Sequence, residues 1–146
     1  MNDLSFSFNE SDVNQIKAHL HDVNKSFVPK LESYVDIELY ADKLYKLANR
    51  FEVFSDNTLV ALLAIYINKD EGNAFITNLS VSEQYARRGI ATTLLRQAID
   101  YAKHNELNKI LLEVKAGNER AINFYLKHEF SIIKKHSIFK LEHIIK

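Results

Sequence analysis

The sequence predicts an α/β (mixed α+β) domain, a single mixed sheet with helices on both faces. Three observations predict it. Hydrophobic residues make up 47% and aromatics 11% of the 146-residue chain, enough for one core of ordinary size and too much for a disordered segment. Apolar positions alternate between a spacing of two and a spacing of three to four residues, in the order β-α-α-β-β-β-α-β-α-β-β. Two of the strands run straight into helices, after Val81 and after Val114. No repeat, low-complexity tract or linker divides the chain, so residues 1–146 read as one domain.

Taken in order, Leu4 to Phe8 alternates apolar and small polar residues as a strand does. A helix follows with Val13, Ile16 and Leu20 on one face, capped by Asn9 or Ser11. Lys25 to Lys30 holds the only proline, Pro29, and reads as a loop. From Tyr34 a second helix places Tyr40, Leu44, Leu47 and Ala48 on one face. Phe51 to Phe54 is a short strand, and Ser55-Asp56-Asn57 supplies hairpin-turn chemistry. Thr58 to Ile67 is apolar on both faces, as a covered strand would be. After a turn over Asn68–Asn73, the strand Ala74–Val81 leads to a helix carrying Ile90, Ala91, Leu94, Leu95, Ala98 and Ala102 and ending near His104-Asn105. Lys109 to Val114 reads as a buried strand and Arg120 to Lys127 as a short helix. Phe130–Ser137 and Ile138–Ile144 close the sheet as a strand pair.

Composition narrows the function. The 19 basic and 19 acidic residues cancel, so no global field draws the chain to nucleic acid or an anionic membrane. Neither partner is expected. The absence of cysteine removes disulfides, cysteine-ligated zinc and a cysteinyl acyl-enzyme. The six histidines lack metal-ligand spacing, and no metal is expected. There is no apolar run near the ~20 residues of a membrane span and no signal-peptide pattern at the N-terminus. The expected location is cytoplasmic. A full Gly-x-Gly-x-x-Gly or Walker motif is missing, which speaks against a nucleotide-binding domain of another fold.

The most informative segment is Tyr85-Ala-Arg-Arg-Gly-Ile-Ala91, with one of three glycines at a strand-to-helix junction behind two arginines. The first amides of a helix lack intrahelical partners and, with the helix dipole, favour an anion. Arg87 and Arg88 add charge-assisted donors for phosphate. A second segment, Leu112-Glu-Val-Lys-Ala-Gly-Asn118-Glu-Arg-Ala121-Ile-Asn-Phe124-Tyr125, is again a strand entering a helix.

Together the two segments resemble the GCN5-related N-acetyltransferase (GNAT) family over roughly residues 51 to 139. Gly89-Ile90-Ala91 matches the second half of the pyrophosphate motif Gln/Arg-x-x-Gly-x-Gly/Ala, with Ala86 in the Gln/Arg position. Asn118, Ala121, Phe124 and Tyr125 match Asn-x-x-Ala-x-x-Phe-Tyr, and Glu129 stands where a Gly precedes Phe130. The resemblance implies a GNAT-like fold: a mostly antiparallel central sheet whose two parallel central strands, Ala74–Val81 and Lys109–Val114, splay apart. It implies acetyl-CoA as co-substrate, its pantetheine against the Leu79–Val81 edge and its pyrophosphate on the turn Arg87, Arg88, Gly89, Ile90, Ala91 and Thr92. Asn118 either bonds the pantetheine or caps its helix. Tyr125 is the implied general acid for the departing thiolate, since a phenol near its reference pKa of ~10 can donate there.

Glu113 is the candidate base. A carboxylate within Ile110-Leu-Leu-Glu-Val114 is costly to bury, so it needs a partner, partial exposure or a raised pKa, and a raised pKa would suit proton removal from an ammonium. The alternative is a structural carboxylate. Glu32, Asp36, Glu38 and Asp42 on the second helix read as a cationic-acceptor lip or as a solvated face. The function implied is acetyl transfer to a primary amine, direct and within a ternary complex. The acceptor is an amino sugar or other small amine. A protein amine, as in ribosomal-protein N-terminal acetyltransferases, is the alternative acceptor, and a non-catalytic acyl-CoA-binding module the alternative role. A homodimer is left open.

Overall fold

The computed structural model describes residues 4–146; the first three residues of the expected domain lie outside it. The elements are β1 (Leu4–Phe8), α1 (Val13–Val23), α2 (Ile37–Leu47), β2 (Asn49–Ser55), β3 (Thr58–Asn68), β4 (Asn73–Val81), α3 (Ile90–His104), β5 (Lys109–Lys115), α4 (Glu119–Lys127), β6 (Ser131–Lys134) and β7 (Ile138–Ile144), with 3-10 turns at Asn24–Ser26, Leu31–Ser33 and Glu83–Tyr85. They follow the order read from the sequence. The seven strands form one sheet in the order β1-β2-β3-β4-β5-β7-β6. Every pairing is antiparallel except β4 with β5.

Each face of the sheet has its own core. Leu94, Leu95 and Ala98 of α3 and Ile122 of α4 pack with Leu63, Ile65, Ile76, Ile110 and Leu112 on one face. Ile16 and Leu20 of α1 and Ile37, Ala41 and Leu44 of α2 pack on Leu59, Leu62 and Ala64 on the other. β3 contributes to both, and its residues 59–65 are buried without a break, which explains its uninterrupted apolar run.

Three local expectations change. The α1 cap is Asp12, whose side chain accepts from the Gln15 amide while Gln15 accepts from the Asp12 amide. Asn9 and Ser11 are occupied elsewhere: Asn9 accepts from the Arg50 amide at 2.7 Å and Ser11 bonds the buried Glu52. α2 begins at Ile37, capped by Asp36, and buries Ile37, Ala41 and Leu44. Of the face expected, Leu44 and Ala48 are buried and Tyr40 packs against the same core, whereas Leu47 is 66% exposed, because the buried stripe centres on Ile37, Ala41 and Leu44. Finally, β5 is buried on one face only. Ile110, Leu112 and Val114 enter the core, and Glu113 on the opposite face is exposed.

Candidate active site

The parallel pairing of β4 and β5 runs from Asn73↔Lys109 to Ile76↔Leu112 and stops. β4 continues to Val81, held by β3 on its other side. From Thr77 to Val81 the edge of β4 facing β5 therefore carries no rung. Unpaired backbone groups of this kind require partners, and an amide-bearing chain laid along Leu79–Val81 would provide them.

β4 leads through the 3-10 turn Glu83–Tyr85 to the junction. Gly89 has φ 78°, a left-handed conformation that glycine adopts without penalty. An added Cβ there would meet nothing within 4 Å, so the requirement is conformational rather than steric. Arg87 also has a positive φ, 61°. No side chain caps α3. Its first intrahelical bond runs from the Thr93 amide to the Gly89 carbonyl at 3.0 Å, leaving the amides of Ile90, Ala91 and Thr92 without intrahelical partners.

A cavity of about 480 Å³ joins the β4 edge to this helix start. It is lined by the expected Leu79, Val81, Arg87, Gly89, Ile90, Ala91, Thr92, Asn118 and Tyr125. Arg88 does not line it. Its guanidinium lies 5.4 Å from the centroid of the buried Tyr85 ring, a cation–π contact. Two cations not expected from the sequence do line it, Arg120 and Lys127 of α4. Their signal was present: Arg120, Phe124 and Lys127 recur at the i, i+4, i+7 spacing of a single helix face. Against these cations stands one carboxylate, Glu83, 3.7 Å from Arg87. Cations thus outnumber carboxylates in the lining, although the chain as a whole is neutral.

Tyr125 is buried, flanked by Phe124 and Phe130 with ring centroids 5.3 Å away in each case. Burial raises its phenol above the ordinary value, so the hydroxyl stays protonated. It forms no hydrogen bond among the described residues. The end of α4 fixes its place: the Phe130 amide bonds the Tyr125 carbonyl at 3.0 Å. Glu129 takes φ 69°, so the left-handed backbone that a glycine would favour is kept despite the substitution. Asn118 caps α4, its Oδ1 accepting from the Ala121 amide at 3.3 Å. That cap leaves Nδ2 for another partner. His128 bonds Thr92 Oγ1 at 3.1 Å and the Phe124 carbonyl at 2.7 Å, tying the α4 end to the α3 start.

A second cavity, of about 280 Å³, opens on the α1–α2 face. It shares Phe27, Leu79, Asn118, Ala121 and Tyr125 with the first. Its own walls include Tyr34, Tyr40, Phe75, Thr77, Glu113 and Lys115. Tyr40 donates its hydroxyl to the Thr77 carbonyl at 2.7 Å. Glu113 is the one carboxylate lining this cavity among the described residues. Glu113 is exposed rather than buried. It lies opposite Lys140 of β7 in the strand register, with Lys140 Nζ 3.8 Å away. Such exposed cross-strand pairs are modest in energy. Of the acidic cluster expected on the second helix, Glu32 lies in the preceding 3-10 turn and accepts from Asn24, Asp36 caps α2, and Glu38 on α2 pairs with Lys17 and His21. Among the described residues, no group of three or more His, Cys, Asp or Glu side chains could hold a metal ion, and no helix is long and apolar enough to cross a membrane.

Residues 16–130 match the model of the acetyltransferase (GNAT) family. Over 100 residues the chain is 35% identical to streptothricin acetyltransferase A of Bacillus subtilis (strain 168), covering 68% of this chain and 53% of that protein. The chain spans about half the length, or less, of the curated relatives it matches first. The fold is similar to that of the PaiA N-acetyltransferase of Thermoplasma acidophilum, solved in complex with coenzyme A: TM-score 0.73, 18% identity, 96% of this chain and 99% of that one. It is equally similar to the ribosomal-protein-S18-alanine N-acetyltransferase of Escherichia coli, with TM-score 0.74, 18% identity, and 100% and 95% of the two chains.

Proposed function

The chain belongs to the acetyltransferase (GNAT) family, and from that premise we propose that it moves the acetyl group of acetyl-CoA to a primary amine by direct attack, with both molecules bound. The observation that carries this reading is the meeting of two cavities at Tyr125. The larger has the cations and free helix amides suited to a pyrophosphate, and the unpaired β4 edge suits pantetheine amides. The smaller has aromatic walls and one carboxylate, suited to an ammonium-bearing acceptor.

Acetyl-CoA supplies the reactive thioester. In this reading the new C–N bond forms as the C–S bond breaks, the thiolate takes the Tyr125 hydroxyl proton, and the proton that the nitrogen sheds after attack returns to Tyr125 through solvent. Burial keeps Tyr125 neutral, which favours the donor role over that of a base. Glu113, at the exposed mouth, draws the ammonium in and accepts its proton directly or through water. An unperturbed amine with pKa near ~10.4 is almost wholly protonated at neutral pH, so this removal is required. With no cysteine in the chain, the thioester is attacked by the acceptor itself. A small amine, such as an amino sugar, is the acceptor we favour. The size of the second cavity, about 280 Å³, and the likeness to a relative named for the small molecule streptothricin support it.

A thiol-release assay with acetyl-CoA and a library of amines, amino sugars and peptides with free N-termini tests this. Thiol release with a small amine is the expected result. Release only with peptides would move the acceptor class to proteins, and tight acetyl-CoA binding without release by any amine would make the chain a binding module.

A further inference from the structure

We propose that the side-chain oxygen of Asn78 accepts a hydrogen bond from the acceptor amine, making Asn78 the residue that orients the nucleophile. The proposal rests on the acetyl-transfer reading above and identifies a contact that reading lacks. The β3–β4 register passes from Ile65↔Ile76 to Ala64↔Asn78, skipping Thr77. This is a β-bulge, which re-aims side chains and recurs beside active sites. Its effect here is to turn two consecutive residues toward the α1–α2 face. Thr77 Oγ1 meets the Tyr40 hydroxyl at 2.8 Å, and Asn78 meets Ser80 and, through it, His19 of α1.

The orientation of the Asn78 amide follows from that network. His19 is fully buried, and burial lowers its pKa from the ordinary 6.5 to about 4, so the ring is neutral with a single N–H. Its Nδ1 lies 3.0 Å from the Leu59 carbonyl, which can only accept, so Nδ1 carries the proton. The bare Nε2, 2.8 Å from Ser80 Oγ, therefore accepts the Ser80 hydroxyl proton. Ser80 Oγ in turn accepts from Asn78 Nδ2 at 3.2 Å. Asn78 Oδ1 is left buried with no partner, although the residue is only 3% exposed. Unsatisfied buried acceptors are rare and costly. This one belongs to a residue lining the second cavity, one position beyond the bulge and past the last β4–β5 rung. A substrate N–H is the donor that would satisfy it.

The test is calorimetric titration of primary amines, from n-butylamine to glucosamine, into the CoA-loaded protein, using whichever binds the wild type most tightly. Asn78→Leu keeps the bulk but lacks the acceptor, and should weaken amine binding by about tenfold with CoA affinity unchanged. Asn78→Asp retains an acceptor oxygen and should restore much of the binding. Unchanged amine affinity in a folded Asn78→Leu variant would overturn the proposal, as would equal losses in both variants with a lowered melting temperature. Amine binding to the wild type without thiol release from acetyl-CoA would instead defeat the acetyl-transfer reading and leave the Asn78 contact standing.

Discussion

The two cavities that meet at Tyr125 are built in different ways. The larger is made mostly of backbone: the unpaired Leu79–Val81 edge and the amides at the start of α3, set by the φ of Gly89. Apart from Ser26 and Phe27, its lining comes from two short stretches of sequence, 79–92 and 118–127. The smaller is made of side chains gathered from separate elements. Phe27 and Tyr34 come from the segment between α1 and α2, Tyr40 from α2, Thr77 and Asn78 from β4, Glu113 from β5 and Ile138 from β7. A backbone site serves one common ligand and tolerates side-chain change, as Ala86 and Glu129 illustrate. A side-chain site can be retuned residue by residue for different acceptors. Substitutions in the first region should therefore register in acetyl-CoA affinity, and those in the second in the acceptor's KM.

Tyr125 belongs to both regions, and its loss should have the largest effect. Tyr125→Phe keeps the ring contacts with Phe124 and Phe130 and removes the proton donor. The kcat should fall by about 10²-fold, with calorimetric acetyl-CoA affinity and acceptor KM nearly unchanged. A fully active Phe variant would reduce Tyr125 to a core residue and disconnect the two cavities.

Next in size are the cations. Arg87→Ala combined with Arg120→Ala should weaken acetyl-CoA by about tenfold, since charge-assisted bonds are worth ~1.5–3 kcal/mol each and exposed ones less. The salt dependence of binding should shrink as well. Arg88→Ala, which removes a guanidinium stacked on Tyr85 rather than facing the cavity, should change the affinity less than twofold. Equal losses from Arg88→Ala would show that the stacked side chain swings to the ligand.

Glu113→Gln belongs to the second region and should act there alone. Its carboxylate is exposed and shared with Lys140, so solvent competes for its work. The acceptor kcat/KM should drop only a few-fold near neutrality and recover at high pH, where more amine is already deprotonated. Acetyl-CoA affinity should not move. A loss approaching that of Tyr125→Phe would restore Glu113 as the principal base.

How much of this was legible follows the same division. The order of elements, the Arg-Arg-Gly-Ile-Ala turn and Tyr125 could be read because local spacing and backbone chemistry encode them. The partner of Glu113 could not be read, because an apolar run does not say which face of a strand is covered; only the β7 register places Lys140 opposite it. The bulge at Thr77 has no local sequence signal, being a mismatch between two strands. Asn78 was therefore invisible as a site residue. The stacking of Arg88 on Tyr85 could not be read, because Tyr85 lies in an intervening 3-10 turn whose geometry the motif does not fix.

A separate effect, on stability rather than on turnover, concerns the network behind the acceptor side. With His19 lowered from 6.5 to about 4, the unfolded chain binds a proton between those pH values that the folded chain does not. His19 therefore makes stability fall as pH drops from about 6.5 to about 4, by up to ~1.4 kcal/mol per pH unit, and adds no slope above that window. His19→Phe should be less stable than wild type at pH 7, having lost two hydrogen bonds, yet show a shallower decline in urea midpoint between pH 6.5 and pH 4. An unchanged slope would mean that His19 titrates in the folded protein much as it does in the unfolded chain.

The central claim, that two adjoining cavities hold both substrates at once and transfer is direct, is tested by initial rates with acetyl-CoA and the amine varied together. Direct attack across Tyr125 predicts double-reciprocal lines that intersect, and no acetyl group retained on the protein after incubation with acetyl-CoA alone. Parallel lines, the signature of a covalent acyl-enzyme, together with a stably acetylated side chain, would contradict it.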